Sequence, residues 1–530
     1  MYEQRLGKNH EQSWFFYNMS FSKVYTAQIH FLKGQLVSVE VDITPSSLFS
    51  FTVVGLPDKA VEESKDRISS ALKNSGYKSP KNQNQKTVMS LSPAEIKKEG
   101  PYFDLAMALA YLLSAKKISF DVQDKIFLGE LSLNGDLRPI KGSLLLAQEA
   151  KRLGMKEIFL PEENVKEAAL IEGIKIYGVK NLKEIILHLT SDKESEKIKP
   201  AEPTKIEYQT KNNTIDFSDI KGQESAKRGL EIAAAGGHNI AMSGPPGTGK
   251  TMLARAFCQI LPNLEKEDCL EVTGIHSVAG ILKDAIITEP PFRCPHHTAS
   301  YVSIIGGGAN PKPGEVTLAH LGVLFLDEFP EFEKKVLESL RQPLEDNFVS
   351  ISRAKGSSIF PSNFILVAAM NPCPCGYRGS KTRECTCRAS DLDKYKRKIS
   401  GPIMDRIDMW VTVGNVDYQK LSDKERSGQN GETIRQRVVK ARKIQSDRFK
   451  DSTHRIKTNS EMSVRDLEIY APLDDETRKI LNQSAERLYL SARAYHRTIK
   501  LARTIADLGG RKNIEQKDIL EALQYRPRQD

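Results

Sequence analysis

Positions 244–251 read GPPGTGKT, that is Gly244, Pro245, Pro246, Gly247, Thr248, Gly249, Lys250 and Thr251. The run fits G-x-x-x-x-G-K-[ST], a pattern with a physical reason behind it. Glycines let backbone N–H groups face an anion, and the following helix offers its positive dipole end to the same anion. Lys250 is placed to reach the β- and γ-phosphates of ATP, and Thr251 to give an oxygen to Mg2+. The flanks agree: His238–Ser243 reads as a short apolar strand and Met252–Ile260 as a helix.

A second chemical signal follows. VLFLDE (323–328) is an apolar strand ending in two acids. Asp327 is expected to hold the Mg2+ shell and Glu328 to orient the attacking water. Another buried strand, FILVAAMN (364–371), ends in Asn371, a polar group that can sit between the acids and the γ-phosphate.

Cys373, Cys375, Cys385 and Cys387 follow C-x-C-x9-C-x-C. Thiolates from two short loops suit tetrahedral Zn2+, although the spacers are tighter than usual. A redox-sensitive pair and plain reduced thiols are the alternatives. VSISRAKGSSIF (349–360) reads as a β-hairpin with Lys355-Gly356 at its turn, where Arg353 and Lys355 are candidate phosphate contacts on DNA and a solvated charged turn is the alternative. His296, His297 and the glycines 306–308 form a second loop of interest. No carboxylate spacing nearby supports a metal at the His pair, so a polar loop role is expected.

These residues resemble AAA+ proteins. In that likeness Asn371 matches sensor 1. Arg406, in SGPIMDRIDMW, lies in a segment similar to the arginine-finger region, where it reaches a neighbouring subunit's nucleotide; an ion pair with Asp405 or Asp408 is the alternative. Arg493, in SARAYHR, resembles sensor 2, with Arg497 one turn further as its competitor.

DIKGQESAKRGLEIAAAGGHN, PFRCPHHTASYVSIIGGG, PGEVTLAHLGVLFLDEFPEF and MNPCPCG look like the magnesium-chelatase-like AAA+ proteins of the ComM/YifB type, over roughly residues 19–528. The resemblance implies a homo-hexameric ATPase acting as a DNA branch-migration helicase in homologous recombination and natural transformation. It also implies sequence-independent contact with single-stranded or branched DNA, and meetings with recombinase or loader proteins. A magnesium-chelatase motor subunit and an AAA+ protein-remodelling factor are the rival readings.

EGPYFDLAMALAYLLS, GELSLNGDLRPIKG and GMKEIFLPEEN resemble the proteolytic domain of Lon proteases, which uses a Ser–Lys dyad. Tyr102 stands where that nucleophile falls and Leu144 where the lysine falls, with Lys141 out of register. Tyrosine and leucine cannot generate an activated hydroxyl, so the domain is expected to lack peptidase activity.

The chain has 530 residues, enough for two or three domains. The expected fold class is α/β: an AAA+ P-loop core with a helical lid, plus an N-terminal α+β Lon-protease-like (S5-like) domain. The expected boundaries are an N-terminal extension 1–18, with Met19 as an alternative start, a Lon-like domain 19–190, a charged linker 191–214, an ATPase core 215–415 and a helical lid 416–530. In the last of these, Gly509–Gly510 reads as a helix stop and Asn513 as the N-cap of the final helix. Net charge is +10, compatible with a polyanionic partner, and 431–530 holds 22 Lys/Arg against 15 Asp/Glu. No apolar run is long enough to span a bilayer and no signal peptide is evident, so the expected location is cytoplasmic.

Overall fold

Strict alternation opens the first folding unit. In Lys33–Pro45 the residues Val37, Val39, Val41 and Ile43 turn inward while their neighbours turn out, the period of a half-buried strand. That strand pairs antiparallel with Phe21–His30 and with Gln85–Ser92. The completed sheet has seven strands, in the order Ser50–Val54, Gln85–Ser92, Lys33–Pro45, Phe21–His30, Lys125–Phe127, Glu157–Pro161 and Lys175–Val179. The last four are parallel to one another.

In this computed structural model the described residues are 21–208, 215–308, 311–353, 356–379, 383–415, 430–452, 454 and 456–527. The extension 1–18, Met19, Lys355 and part of the expected linker lie outside them. One unit takes in residues up to 206 together with 273–286. The other takes in 207–272 and 287–530.

The helix Asp104–Ser114 is apolar nearly all round and lies within the core of the first unit. At its start, buried Asp104 accepts from Arg67 Nε at 2.7 Å and also from Ser64. Asp58 caps the helix Lys59–Asn74 by accepting from the Val61 N–H at 2.9 Å. Residues 191–206 run along this unit. Ile198 packs against its core, and the N–H of Ala201 donates to the Ile176 carbonyl at 2.8 Å.

The second unit is built on a five-stranded sheet ordered Phe292–Arg293, Val323–Leu326, Ile365–Met370, Ile240–Ser243 and Met409–Thr412. Every pairing is parallel. The central strands read as short apolar runs because helices cover both faces. In the register, Leu326 stands opposite Ala368 and Ser243 opposite Met370. The residues that follow these strand ends therefore emerge on one edge: Gly244, Asp327 and Asn371. That carboxyl edge is where open parallel sheets bind ligands.

The C-terminal helices join the same core. Ile434, Val438 and Ala441 of Gly431–Phe449, and Leu501 and Ile505 of Ala492–Leu508, pack with Leu230, Ala233 and Phe257. The helix Ala492–Leu508 stops at Gly509, with Gly510 at φ +67°. The final helix corrects one expectation. Its cap position is Glu515 rather than Asn513, because the Asp518 carboxylate reaches back to the Glu515 N–H at 2.9 Å.

Candidate nucleotide site

The loop 244–249 joins the strand Ile240–Ser243 to the helix Lys250–Ile260. Gly247 and Gly249 have φ of +76° and +88°, and the space on their side-chain side is open. Glycine is required there by backbone conformation, not by packing. Gly244 differs: a Cβ would run into the Val413 carbonyl. Thr248 Oγ1 tightens the loop by donating to the Pro245 carbonyl at 2.9 Å.

Lys250 is buried and its Nζ donates to the carbonyls of Gly244 at 2.7 Å and Pro245 at 2.8 Å, and to Asn371 Oδ1 at 3.2 Å. Burial pulls the ammonium below its ordinary range, and the charge of Asp327 works in the other direction. The Thr251 hydroxyl donates to Asp327 Oδ2 at 2.8 Å, while the Glu328 N–H donates to Asp327 Oδ1 at 2.9 Å. Lys250, Thr251, Asp327 and Asn371 are thus brought together from three strand ends. The donor set, one hydroxyl and one carboxylate facing solvent, fits a hydrated Mg2+.

Glu328 is exposed and sits at φ +52°, a left-handed conformation costly for a residue with a Cβ. His297 Nδ1 lies 3.0 Å from its Oε2. The fold brings this carboxylate to the His pair from 31 positions along the sequence. Among the described residues the four cysteines form the one group of three or more metal-type side chains.

The arginines lie elsewhere. Arg406 is buried. Its Nη1 donates to the Pro402 carbonyl at 2.8 Å, its Nε to the Arg341 carbonyl at 3.2 Å, and its guanidinium pairs with Glu345. Neither Asp405 nor Asp408, the partners weighed from sequence, takes that place. Arg493 is half-exposed and reaches the other oxygen of Glu345 at 2.8 Å. Its competitor Arg497 pairs with buried Asp408 at 3.2 Å. Asp408 also accepts from the Asn239 N–H at 2.9 Å. Burial pushes the Asp408 carboxyl up, but the charge of Arg497, nearby His238 and the Asn239 N–H outweigh it and hold the carboxyl well below its usual range. Arg497 is thereby tied to a structural acid. Beside Glu345, Asp408, Arg497 and Lys500 lies a cavity of about 320 Å3, at the amino end of the strands and away from the phosphate loop.

The cysteine sulfurs converge within 4.8 Å of one another. The N–H of Tyr377 and other donors draw the Cys375 thiol down to about 6, while desolvation and the neighbouring thiols push Cys385 up and Cys387 up to about 12. Arg353 ends the strand Phe348–Arg353, which pairs antiparallel with Gly356–Pro361, the hairpin read from the sequence. In the first unit, Leu144 is fully buried, and burial pushes the Tyr102 phenol up. Lys98 is also fully buried there, its amine donating to the Ile96 carbonyl at 2.8 Å.

A parallel sheet with a phosphate loop, an acidic pair and a polar sensor at its carboxyl edge defines a P-loop ATPase of the AAA+ class. The chain matches the family model "Magnesium chelatase, subunit ChlI" over residues 216–421, "Subunit ChlI of Mg-chelatase" over 39–164 and "Magnesium chelatase, subunit ChlI C-terminal" over 428–526. It is 38% identical to the competence protein ComM of Haemophilus influenzae over 518 residues, covering 96% of this chain and 98% of that one. It is also 38% identical to YifB of Escherichia coli K12, covering 96% and 97%. The chain belongs to the ComM/YifB family of magnesium-chelatase-like AAA+ proteins. Part of the chain is also 30% identical to Lon protease 2 of Bacillus subtilis over 169 aligned residues, covering 29% of this chain and 30% of that protein. The fold class is therefore α/β, an AAA+ core with Lon-protease similarity in the N-terminal region. Among the described residues no helix is long and apolar enough to cross a membrane.

Proposed function

We propose that this protein is an ATP-driven motor working on DNA, promoting branch migration or unwinding during recombination. The observation that carries the ATPase part is the meeting of Thr251 with Asp327 at 2.8 Å beside the Lys250–Asn371 contact. ATP and Mg2+ bound there supply the γ-phosphoryl group and its charge neutralisation. Lys250 binds phosphate, Thr251 and Asp327 hold the cation, Glu328 orients a water and Asn371 fixes the lysine. In a homo-hexameric ring, Arg406 and Arg493 serve the nucleotide of the adjacent subunit. That placement gives a role to two arginines that touch none of the phosphate-loop side chains of their own chain. Arg353 and Lys355 meet DNA phosphates.

The DNA reading draws on the name of the relative, a competence protein, and on the basic balance of the chain. The test is the steady-state ATPase rate without DNA, with single strands, with duplex and with a four-way junction, with Lys250→Ala as the blank. Stimulation greatest on branched DNA and absent in the variant supports the motor. Turnover indifferent to every DNA sinks it and moves the function to protein remodelling or a chelatase-type motor.

A further inference from the structure

The cysteine knuckle has the dimensions of a metal site. Cys373 Sγ lies 3.4 Å from Cys375 Sγ and 3.7 Å from Cys385 Sγ, and Cys375 Sγ lies 3.6 Å from Cys385 Sγ. A disulfide needs about 2.05 Å, so these are not bonded pairs. A tetrahedron with Zn–S bonds of about 2.3 Å has S···S edges of about 3.8 Å, close to the separations observed. Two backbone N–H groups already point at sulfur: Cys375 N at Cys387 Sγ and Arg378 N at Cys373 Sγ, both at 3.3 Å. Such donors orient and stabilise thiolate ligands.

The knuckle also touches the nucleotide site at three points. Asn371, the acceptor of Lys250, lies two residues before Cys373. Gly376, in the turn closed by its N–H on the Cys373 carbonyl at 2.9 Å, has φ +85° and lies flat against the phosphate loop. A Cβ there would come within 2.8 Å of Pro246 Cδ. Beyond Cys387, the helix Ala389–Lys398 returns Tyr395, whose hydroxyl donates to the Asn371 carbonyl at 3.0 Å. The segment between these points is mostly polar, with Cys373 its buried anchor. It lacks the apolar side chains that would fix its shape by packing.

We propose that the four cysteines hold one Zn2+, and that the metal-built knuckle is the strut that sets the phosphate loop and Asn371, so that metal occupancy governs nucleotide affinity. The metal closes the loop between Asn371 and Tyr395 and presses the turn at Gly376 against Pro246. This rests on reading Lys250 and its neighbours as the nucleotide site.

The full-length protein, purified without chelator, is assayed for zinc, for binding of a fluorescent ATP analogue and for turnover. It is then stripped by a strong chelator and refilled with Zn2+. About one equivalent of zinc is expected per chain. Stripping is expected to weaken nucleotide binding by about tenfold or more, with recovery on refilling and little change in helix content by circular dichroism. Gly376→Ala is the second arm. It keeps the ligands and is expected to retain zinc while losing about tenfold in nucleotide affinity, and it decides the matter if the zinc resists removal. Fresh protein with far less than one equivalent overturns the metal. Stripped protein, or a zinc-replete Gly376→Ala variant, that binds nucleotide like the untreated protein overturns the strut. Untreated protein that binds no more nucleotide than Lys250→Ala overturns the nucleotide site itself, a distinct result.

Discussion

His297 Nδ1 lies 3.0 Å from Glu328 Oε2, and this contact joins the loop 294–300 to the acid expected to orient water. The loop carries the His pair with ring centroids 4.2 Å apart, and His297 meets Phe332 edge-on. An acid so held is restrained from swinging toward the phosphate. His297→Ala is expected to raise DNA-free turnover about threefold and to flatten stimulation by DNA, with the KM for ATP unchanged. His297→Gln, which keeps a donor, should restore part of the coupling. A variant whose KM rises while its stimulation ratio holds would show that the pair only shapes the site.

Glu345 is shared by Arg406 and Arg493, which ties both arginines to one point of their own chain. If they serve a neighbour's nucleotide, Arg406→Ala and Glu328→Gln should each lose about a hundredfold or more in turnover. Mixing the two variants should then recover activity, because some interfaces pair an intact Glu328 with an intact Arg406. Mixtures no more active than the better single variant would place both residues in one chain's reaction.

The Lon-like region should not cleave peptides. The Tyr102 hydroxyl stays protonated near neutral pH, and Leu144 supplies no amine. Incubation with unfolded casein is expected to give no fragments, with or without ATP. Cleavage blocked by a serine-directed inhibitor would reverse this reading.

Acid should destabilise the second unit through His238. The ring is buried, with Nε2 2.8 Å from Thr504 Oγ1 and Nδ1 3.8 Å from Asp408 Oδ2. Burial lowers its pKa, nearby Asp408 opposes that, and Lys500 and Arg442 add to it. Because the folded value is depressed, the unfolded chain binds a proton that the folded chain refuses once pH falls below about 6.5. Stability is then lost on acidification, by up to about 1.4 kcal/mol per pH unit until the folded value is reached. Melting temperatures between pH 7 and pH 5 should fall, and His238→Gln should flatten that slope. An unchanged slope would place the acid sensitivity in other groups.

Much of the site was legible in the amino-acid order because its chemistry is local. The phosphate loop needs glycines and a lysine at fixed offsets between a strand and a helix, and each apolar strand announces the polar residue that follows it. The helical character of the C-terminal region and the stop at Gly509–Gly510 were legible for the same reason, since period and cap lie within one segment. Tertiary structure alone decided which distant side chains meet. Nothing in the spacing of His297 and Glu328, of Gly376 and Pro246, or of Glu345 with Arg406 and Arg493 encodes a contact. These pairs form because a parallel sheet brings separate strand ends and their loops to shared edges, and because buried charges find partners wherever the packing provides them. The same physics separates Arg493 from Arg497: four residues apart on one helix, one is left half-exposed and the other is drawn in by the buried carboxylate of Asp408.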